Sequence, residues 1–105
     1  MFNVFVLVGK LNKLPITENI RDSSCHYLPI ELEITQNFRN SNGIYETYVI
    51  SVDVTRGDAE LIKKYCEIGD ILGIKGRINF SKDSNAAFSL ISEKTIFIDL
   101  KKRRA

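Results

Sequence analysis

Basic and aromatic residues stand side by side in this sequence, at spacings that suit contact with a nucleic acid. Phe38 precedes Arg39, and Lys75 and Arg77 flank Gly76 within an alternating run. Residues i and i+2 of a strand face the same side, so Lys75 and Arg77 could contact adjacent phosphates of one chain. Aromatic rings offer flat faces to unpaired bases. This combination is typical of proteins that bind single strands without reading their sequence.

Each candidate also has an ordinary structural interpretation. Phe38 could simply cover the end of a barrel, and Tyr45 could be a surface tyrosine on an exposed strand. Lys75 and Arg77 could belong to a solvated face that binds nothing. Weaker candidates for phosphate contacts are Arg56, Lys10, Lys13 and Arg21.

Two carboxylates limit where a phosphate chain could run. Glu31 and Glu33 are predicted to point outward from the second strand, where they would repel phosphates. We therefore expect the binding groove to follow the third and fourth strands, which carry Tyr45, Lys75 and Arg77.

Catalytic and metal-binding patterns are missing from the sequence. His26 is the single histidine, and no Ser-His-Asp arrangement or phosphate-cradling glycine loop occurs. Cys25 lies beside His26, but neither Cys25 nor Cys66 has further ligands at zinc spacing. We therefore expect neither an enzyme nor a bound metal or cofactor.

The formal net charge of +2 hides an uneven distribution of charge. The chain of 105 residues has 15 basic and 13 acidic residues, and four of the basic ones form Lys101–Arg104. Without these four, 11 basic residues stand against 13 acidic ones, so the rest of the chain is slightly negative. Residues 101–105 are predicted to form a basic tail that either adds electrostatic affinity for a nucleic acid or only aids solubility.

Length and composition fit one globular domain. The chain is 44% hydrophobic and 27% charged, which is ordinary for a folded protein. No apolar run approaches the roughly 18–20 residues of a membrane span, and Met1–Val8 lacks the basic start and the cleavage site of a signal peptide. We therefore expect a domain over residues 1–100 that binds no membrane and works in a reducing cytoplasm.

Hydrophobic periodicity predicts five strands and one helix. Alternate residues of Leu28–Ile34 and of Tyr48–Val54 are predicted to point inward. Asp58 is predicted to cap the helix, and Gly69 is predicted to end it in a left-handed conformation. The predicted bounds are strands over 2–9, 27–35, 45–55, 71–80 and 86–98, a helix over 58–66, and a hairpin turn over 40–43.

This element order is typical of an all-β fold with one helix, a five-stranded Greek-key OB-fold barrel whose helix plugs a gap between strands. A twisted antiparallel sheet packed on a side helix is the alternative. Phe2–Gly9 is apolar on both faces, which predicts a barrel strand whose outer side meets another subunit. Phe88 is predicted to lie in the core.

Several ordered segments resemble bacterial single-stranded-DNA-binding proteins. Phe2–Leu11 is similar to the opening strand of that family, an apolar strand that ends in Val/Ile-Gly, a basic residue or Asn, and Leu. Thr47–Val52 is similar to its third strand, and Ala59–Ile78 resembles its helix, its Lys-Gly-Asp-like turn and its Val-x-Gly-Arg-Leu strand. No single segment is diagnostic, but the ordered set covers nearly the whole chain.

The resemblance implies sequence-nonspecific binding of single-stranded DNA in replication, recombination or repair. Arg77 stands in the family's Gly-Arg position, and Phe38-Arg39 matches its Asn-Arg-aromatic-Lys turn. Phe80 and Lys82 lie on the hairpin that in the family reaches over DNA. The resemblance also implies a homo-oligomer, a dimer or a tetramer, because the family associates through its first strand. The alternative is an OB-fold subunit that binds a protein partner and no nucleic acid.

The chain departs from the family in two respects. Family members carry a long linker and an acidic tip that recruits partner proteins, whereas this sequence ends in Lys101–Ala105. We therefore expect no recruitment of that kind and a closer likeness to short, tail-less members such as primosomal replication proteins. Tryptophan is absent, and Val49 stands where the family has a stacking aromatic. Weaker binding than in a typical member is expected from that loss.

Overall fold

The computed structural model of the chain describes residues 1–16, 26–80 and 88–100. Within these ranges five strands and one helix follow one another in the predicted order. The observed first strand begins and ends later than predicted, and the second strand is four residues longer at its end. The elements are β1 Phe5–Lys13, β2 Tyr27–Arg39, β3 Tyr45–Thr55, α1 Arg56–Tyr65, β4 Ile71–Asn79 and β5 Ser89–Asp99.

The strands close into a barrel in the order β1-β2-β3-β5-β4. All neighbours are antiparallel except β3 and β5, which run parallel and pair at Asp53 and Ile91. The strands form a closed ring, so the predicted barrel is confirmed and the twisted open sheet is excluded.

Alternation along β2 and β3 builds the core as predicted. Leu28, Ile30 and Leu32 point inward from β2 and meet Val52 and Val54 of β3, and all five are buried. Complete burial of one such side chain contributes about 1.5–3 kcal/mol to the stability of the fold. The remaining buried hydrophobic residues of this core are Leu11, Ala59, Ile62, Cys66, Leu72, Ile74 and Leu100.

The β2–β3 hairpin continues past the barrel, and its turn is built by one side chain. The Asn40 Oδ1 accepts hydrogen bonds from the backbone N–H groups of Asn42 and Ile44, at 2.9 and 3.1 Å. Gly43 takes the left-handed conformation, with φ of 78°, which a residue without a Cβ adopts at no steric cost. The turn predicted at residues 40–43 is therefore confirmed.

Two residues predicted to be buried are exposed. Tyr48 has inward parity, but it lies where the hairpin has left the core behind, and 45% of its surface is exposed. Phe88 precedes β5 and is 55% exposed. Both side chains lie beyond the end of the barrel, so pointing toward the core side does not bury them.

The start of α1 corrects the predicted cap. The N-cap is Thr55, whose hydroxyl oxygen accepts a hydrogen bond from the Asp58 N–H at 3.2 Å. Asp58 itself lies in the first helical turn, and its carboxylate accepts a hydrogen bond from the Thr95 hydroxyl at 3.2 Å. β3 thus passes directly into the helix, and Asp58 ties the helix start to β5.

The end of α1 also differs from the prediction. The helix ends at Tyr65, and Cys66 follows in an extended conformation. Gly69 is left-handed as predicted, with φ of 96°, but it lies in the turn after the helix and does not end it. That turn is closed by the buried Asp70, whose carboxylate accepts the Glu67 N–H at 2.8 Å. In the described part of the chain, no helix is long and apolar enough to cross a membrane.

Candidate nucleic-acid interface

The projecting end of the β2–β3 hairpin brings together three of the predicted site residues. Arg39 pairs with Tyr45 in the strand register, and the Arg39 guanidinium carbon lies 5.4 Å from the centroid of the Tyr45 ring. Phe38 precedes them and is 67% exposed. The hairpin end therefore offers two exposed aromatic rings beside one cation, the combination that suits a base and its phosphate.

A hydrogen-bonded network stiffens this hairpin. The Tyr48 hydroxyl donates to one oxygen of the Glu46 carboxylate, and the Asn40 Nδ2 donates to the other at 3.0 Å. The hydrogen bonds from Tyr48 and Asn40 lower the pKa of Glu46, and the bond to Glu46 raises the pKa of Tyr48. The carboxylate is therefore ionised and engaged by neighbours at neutral pH. The sequence signal for this network is the i, i+2 spacing of Glu46 and Tyr48, which places both side chains on the same face of β3.

An open cleft of about 430 Å³ runs from the hairpin to β1. It lies between Val6–Val8 of β1 and Ile34–Gln36 of β2, and Phe38 lines one end of it. Phe38 does not cover the barrel core, since it is largely exposed at this cleft.

A second group of predicted residues lies on the outward side of β4. Lys75 is exposed and pairs with Val6 on one side and with Lys94 of β5 on the other. Arg77 lies two residues along, with a guanidinium nitrogen 3.9 Å from the Glu93 carboxylate. Lys94 was not among the predicted site residues, because its place beside Lys75 depends on the register between β4 and β5.

The structure separates these two groups. β5 lies between β3 and β4 in the barrel, so the strands that carry Tyr45 and Lys75 are not neighbours. A groove along the third and fourth strands, as predicted, would therefore also cross β5, because the Greek-key connection places this later strand between them.

The weaker candidates lie beside acidic residues. Lys10 pairs with Glu33, and Lys13 pairs with Glu31, across the β1–β2 ladder. Opposite charges at facing positions compensate one another, so this face neither attracts nor repels phosphate strongly. Arg56 starts α1, at the other end of β3 from Tyr45, and its Nε lies 4.0 Å from the Glu60 carboxylate.

Phe80 directly follows β4 and is 68% exposed. Lys82, Arg21, Cys25 and the basic tail over 101–105 lie outside the described residues. Among the described residues, no group of three or more His, Cys, Asp or Glu side chains could hold a metal ion.

Several known sequences are similar to this chain, and three of them show the range of the likeness. Single-stranded DNA-binding protein B of Bacillus subtilis is 32% identical over 80 residues, which are 74% of this chain and 68% of that protein. Single-stranded DNA-binding protein 1 of Clostridium acetobutylicum is 26% identical over 106 residues, which are 95% of this chain and 96% of that protein. The chain matches only 47% of the length of the Streptococcus mutans single-stranded DNA-binding protein, at 33% identity. No family model matches the chain.

Solved structures of single-stranded DNA-binding proteins share the fold, as two of them illustrate. A Plasmodium falciparum SSB in complex with single-stranded DNA superposes with a TM-score of 0.70 at 18% identity, over 94% of this chain and 97% of that one. The small single-stranded DNA-binding protein of Streptomyces coelicolor gives a TM-score of 0.63 at 14% identity, over 93% and 95% of the two chains. These likenesses confirm the predicted OB-fold class. On the sequence identity to the Bacillus subtilis protein, which extends over two thirds of that protein, this chain belongs to the family of single-stranded DNA-binding proteins.

Proposed function

We propose that this chain binds single-stranded DNA without reading its base sequence, and that the end of the β2–β3 hairpin contributes the stacking surface. The observation that carries the proposal is the Arg39 guanidinium 5.4 Å from the Tyr45 ring centroid, beside the exposed ring of Phe38. Every base has a flat face, so aromatic rings bind bases of any identity. Arg39 supplies the positive charge that a neighbouring phosphate requires.

The names of the related proteins support DNA as the ligand. The relatives from Bacillus subtilis and Clostridium acetobutylicum are named as single-stranded DNA-binding proteins, and proteins of this family are not enzymes. The alternative, an OB-fold subunit that binds only a protein partner, is not favoured by these relatives. A role in replication, recombination or repair and a place in the cytoplasm belong to the same proposal.

The two groups of candidate residues have different roles in this proposal. Phe38, Arg39 and Tyr45 form the stacking end, whereas Lys75 and Arg77 on β4 contact phosphates farther along the strand. The acidic residues of β2 do not block the path, because Lys10 and Lys13 lie opposite them. The remaining predicted contacts of the proposal are Lys10, Lys13, Arg56, Phe80 and Lys82.

Association of two or four copies through β1 is the second part of the proposal. β1 pairs with β4 through Phe5–Lys10, but its register with β2 begins only at Lys10. Within the described residues, the side of β1 that faces β2 therefore has no strand partner over 5–8, where the open cleft separates the two strands. Exposed Val6, Val8 and Ile96 lie on the outward face of β1 and β5. Free strand edges and apolar patches are surfaces that proteins cover by association.

Light scattering at micromolar concentration tests the association. The proposal expects the mass of a dimer or a tetramer. A monomer mass would show that the β1 edge stays uncovered in solution and would overturn this part.

Titration of fluorescently labelled oligo-dT and oligo-dA, each at low and moderate salt, tests the binding itself. The proposal expects similar isotherms for the two oligonucleotides and an affinity that falls as salt rises, because released counterions drive phosphate contacts. The absence of binding at low salt would overturn the proposal and favour the protein-binding alternative.

A further inference from the structure

A second aromatic cleft lies at the opposite end of β4 from α1. Met1–Val4 runs along the end of β4, and an open cleft of about 420 Å³ is lined by Met1–Val4, Ile78 and Phe80. Phe2 is 98% exposed, and Phe80 is 68% exposed. Large apolar side chains held in water at one place usually mark a binding surface.

One side chain holds this segment in place. The Asn3 Nδ2 donates to the Ile78 carbonyl oxygen at 2.7 Å, and the Ile78 N–H donates to the Asn3 Oδ1 at 2.9 Å. Continuing the β1–β4 register from the pair Phe5–Gly76 places Asn3 opposite Ile78, so the side-chain amide replaces a backbone partner in the ladder. A terminal segment is usually poorly ordered unless it is tied down. Asn3 supplies that tie directly beside Phe2.

The cleft lies beside a row of positive charge. Continuing the β1–β4 register places Val4, which lines the cleft, opposite Arg77, and Lys75 lies two residues before Arg77 with Lys94 opposite it. Successive nucleotides of a single strand present alternately a phosphate and a base. A strand whose phosphates follow Lys75 and Arg77 would therefore bring a base to the cleft between Phe2 and Phe80.

We infer that Phe2 and Phe80 form a second stacking site, which takes one unpaired base of single-stranded DNA, and that Asn3 is the positioning residue that orders Phe2. The inference rests on the proposed function and adds to it a site separate from the β2–β3 hairpin. The Asn3 hydrogen bonds fix the backbone beside Phe2, so less conformational freedom is lost when a base stacks on the Phe2 ring, and the affinity that this ring contributes increases.

Replacing the ring while keeping the apolar character tests the stacking. Phe2→Leu should weaken binding of labelled oligo-dT about fivefold to a hundredfold, the range that loss of one base–aromatic stack produces. Phe2→Tyr keeps the flat face and should bind within about twofold of the wild type. The slope of log K against log salt should stay unchanged in both variants, since no phosphate contact is removed.

Asn3→Ala tests the positioning role of Asn3, whose effect on binding should depend on the Phe2 ring. The variant should weaken binding by less than Phe2→Leu, and it should add nothing when combined with Phe2→Leu, because both act through the same ring. Additive losses in the double variant would show that Asn3 acts elsewhere and would overturn its positioning role.

The outcomes separate this inference from the proposed function. If wild-type protein does not bind oligo-dT, the proposed function fails and the inference fails with it. If wild-type protein binds and Phe2→Leu binds equally well, the second site is overturned while the proposed function stands. If Phe2→Leu changes the mass measured by light scattering, Phe2 belongs to the contact between copies, and the second site is likewise overturned. An unchanged mass and an unchanged melting temperature are expected, because Phe2 is exposed.

Discussion

The Arg39 guanidinium lies against one face of the Tyr45 ring, 5.4 Å from its centroid, across the last pair of the β2–β3 ladder. The contact orders a long cationic side chain at the point where the hairpin leaves the barrel. Arginine stacks on aromatic rings and donates hydrogen bonds in a fixed plane, so Arg39 can keep this contact while it binds a phosphate. The pair therefore places charge and aromatic surface within reach of the same nucleotide.

Phe38→Ala should weaken binding of oligo-dT by about 1–3 kcal/mol, the cost of losing one stacked base. Folding should change little, because Phe38 is largely exposed. Fluorescence titration of the oligonucleotide and thermal unfolding measure the two effects. If the variant unfolds while its folded fraction binds normally, Phe38 is a structural residue, and Tyr45 becomes the main stacking ring.

Lys75→Gln and Lys94→Gln should each lower the slope of log K against log salt by about 0.7, the contribution of one phosphate contact to a single strand. Both side chains are exposed and face each other across β4 and β5. Lys64→Gln is the matched control, because Lys64 is an exposed lysine that does not belong to the proposed DNA contacts. If all three variants kept the wild-type slope of log K against log salt, the DNA would not pass along β4.

Gly76→Ala should destabilise the fold by about 1–3 kcal/mol, as forced overpacking does. A Cβ at this position would overlap the carbonyl oxygen of Ile91. This oxygen is a backbone atom, so no side-chain rotation can relieve the overlap. Gly57→Ala is the matched control, because among the described residues no atom outside the neighbouring helix backbone lies within 4 Å of the added Cβ. That change should be neutral or stabilising by up to about 1 kcal/mol. Urea unfolding of both variants checks the contrast, which equal stabilities would contradict.

Asp53→Asn should raise the stability of the fold at neutral pH. Burial raises the pKa of Asp53 above its ordinary value of 3.8, so folding disfavours the ionised carboxylate. In the wild-type protein the free-energy cost of holding Asp53 ionised in the fold is present above the raised pKa. This cost disappears as the pH falls to the ordinary pKa of 3.8. The stability difference between variant and wild type should therefore shrink between neutral pH and pH values near 4, as urea unfolding at several pH values would show. If the variant were less stable than the wild type at neutral pH, the Asp53 carboxylate would instead make a favourable contact in the folded protein.

The sequence predicted the elements of the fold well because their signals are local. The alternation of Leu28, Ile30 and Leu32 is visible over five residues, and it alone determines which face of β2 enters the core. Gly43 and Asn40 likewise predict the turn from the conformations that their own residue types favour.

The predictions that failed depend on long-range structure. Tyr48 points toward the core side, but whether a core exists there depends on how far the hairpin extends beyond the barrel. Thr55 caps the helix in place of Asp58 because β3 runs without a loop into α1. The pairing of Lys75 with Lys94 depends on the β4–β5 register, for which the sequence contains no local signal. The sequence therefore predicted which residues are candidates for the site, but it could not predict that they lie on two separate surfaces.

Photo-crosslinking of the wild-type protein to oligo-dT that contains 5-iododeoxyuridine would show whether single-stranded DNA lies on the β2–β3 hairpin. Mass spectrometry of the digested complex would identify the residues that touch a base. We expect adducts on Phe38 or Tyr45, whose exposed rings lie at the end of this hairpin. Adducts confined to residues of α1, with none between residues 38 and 45, would contradict the placement of the DNA on this hairpin.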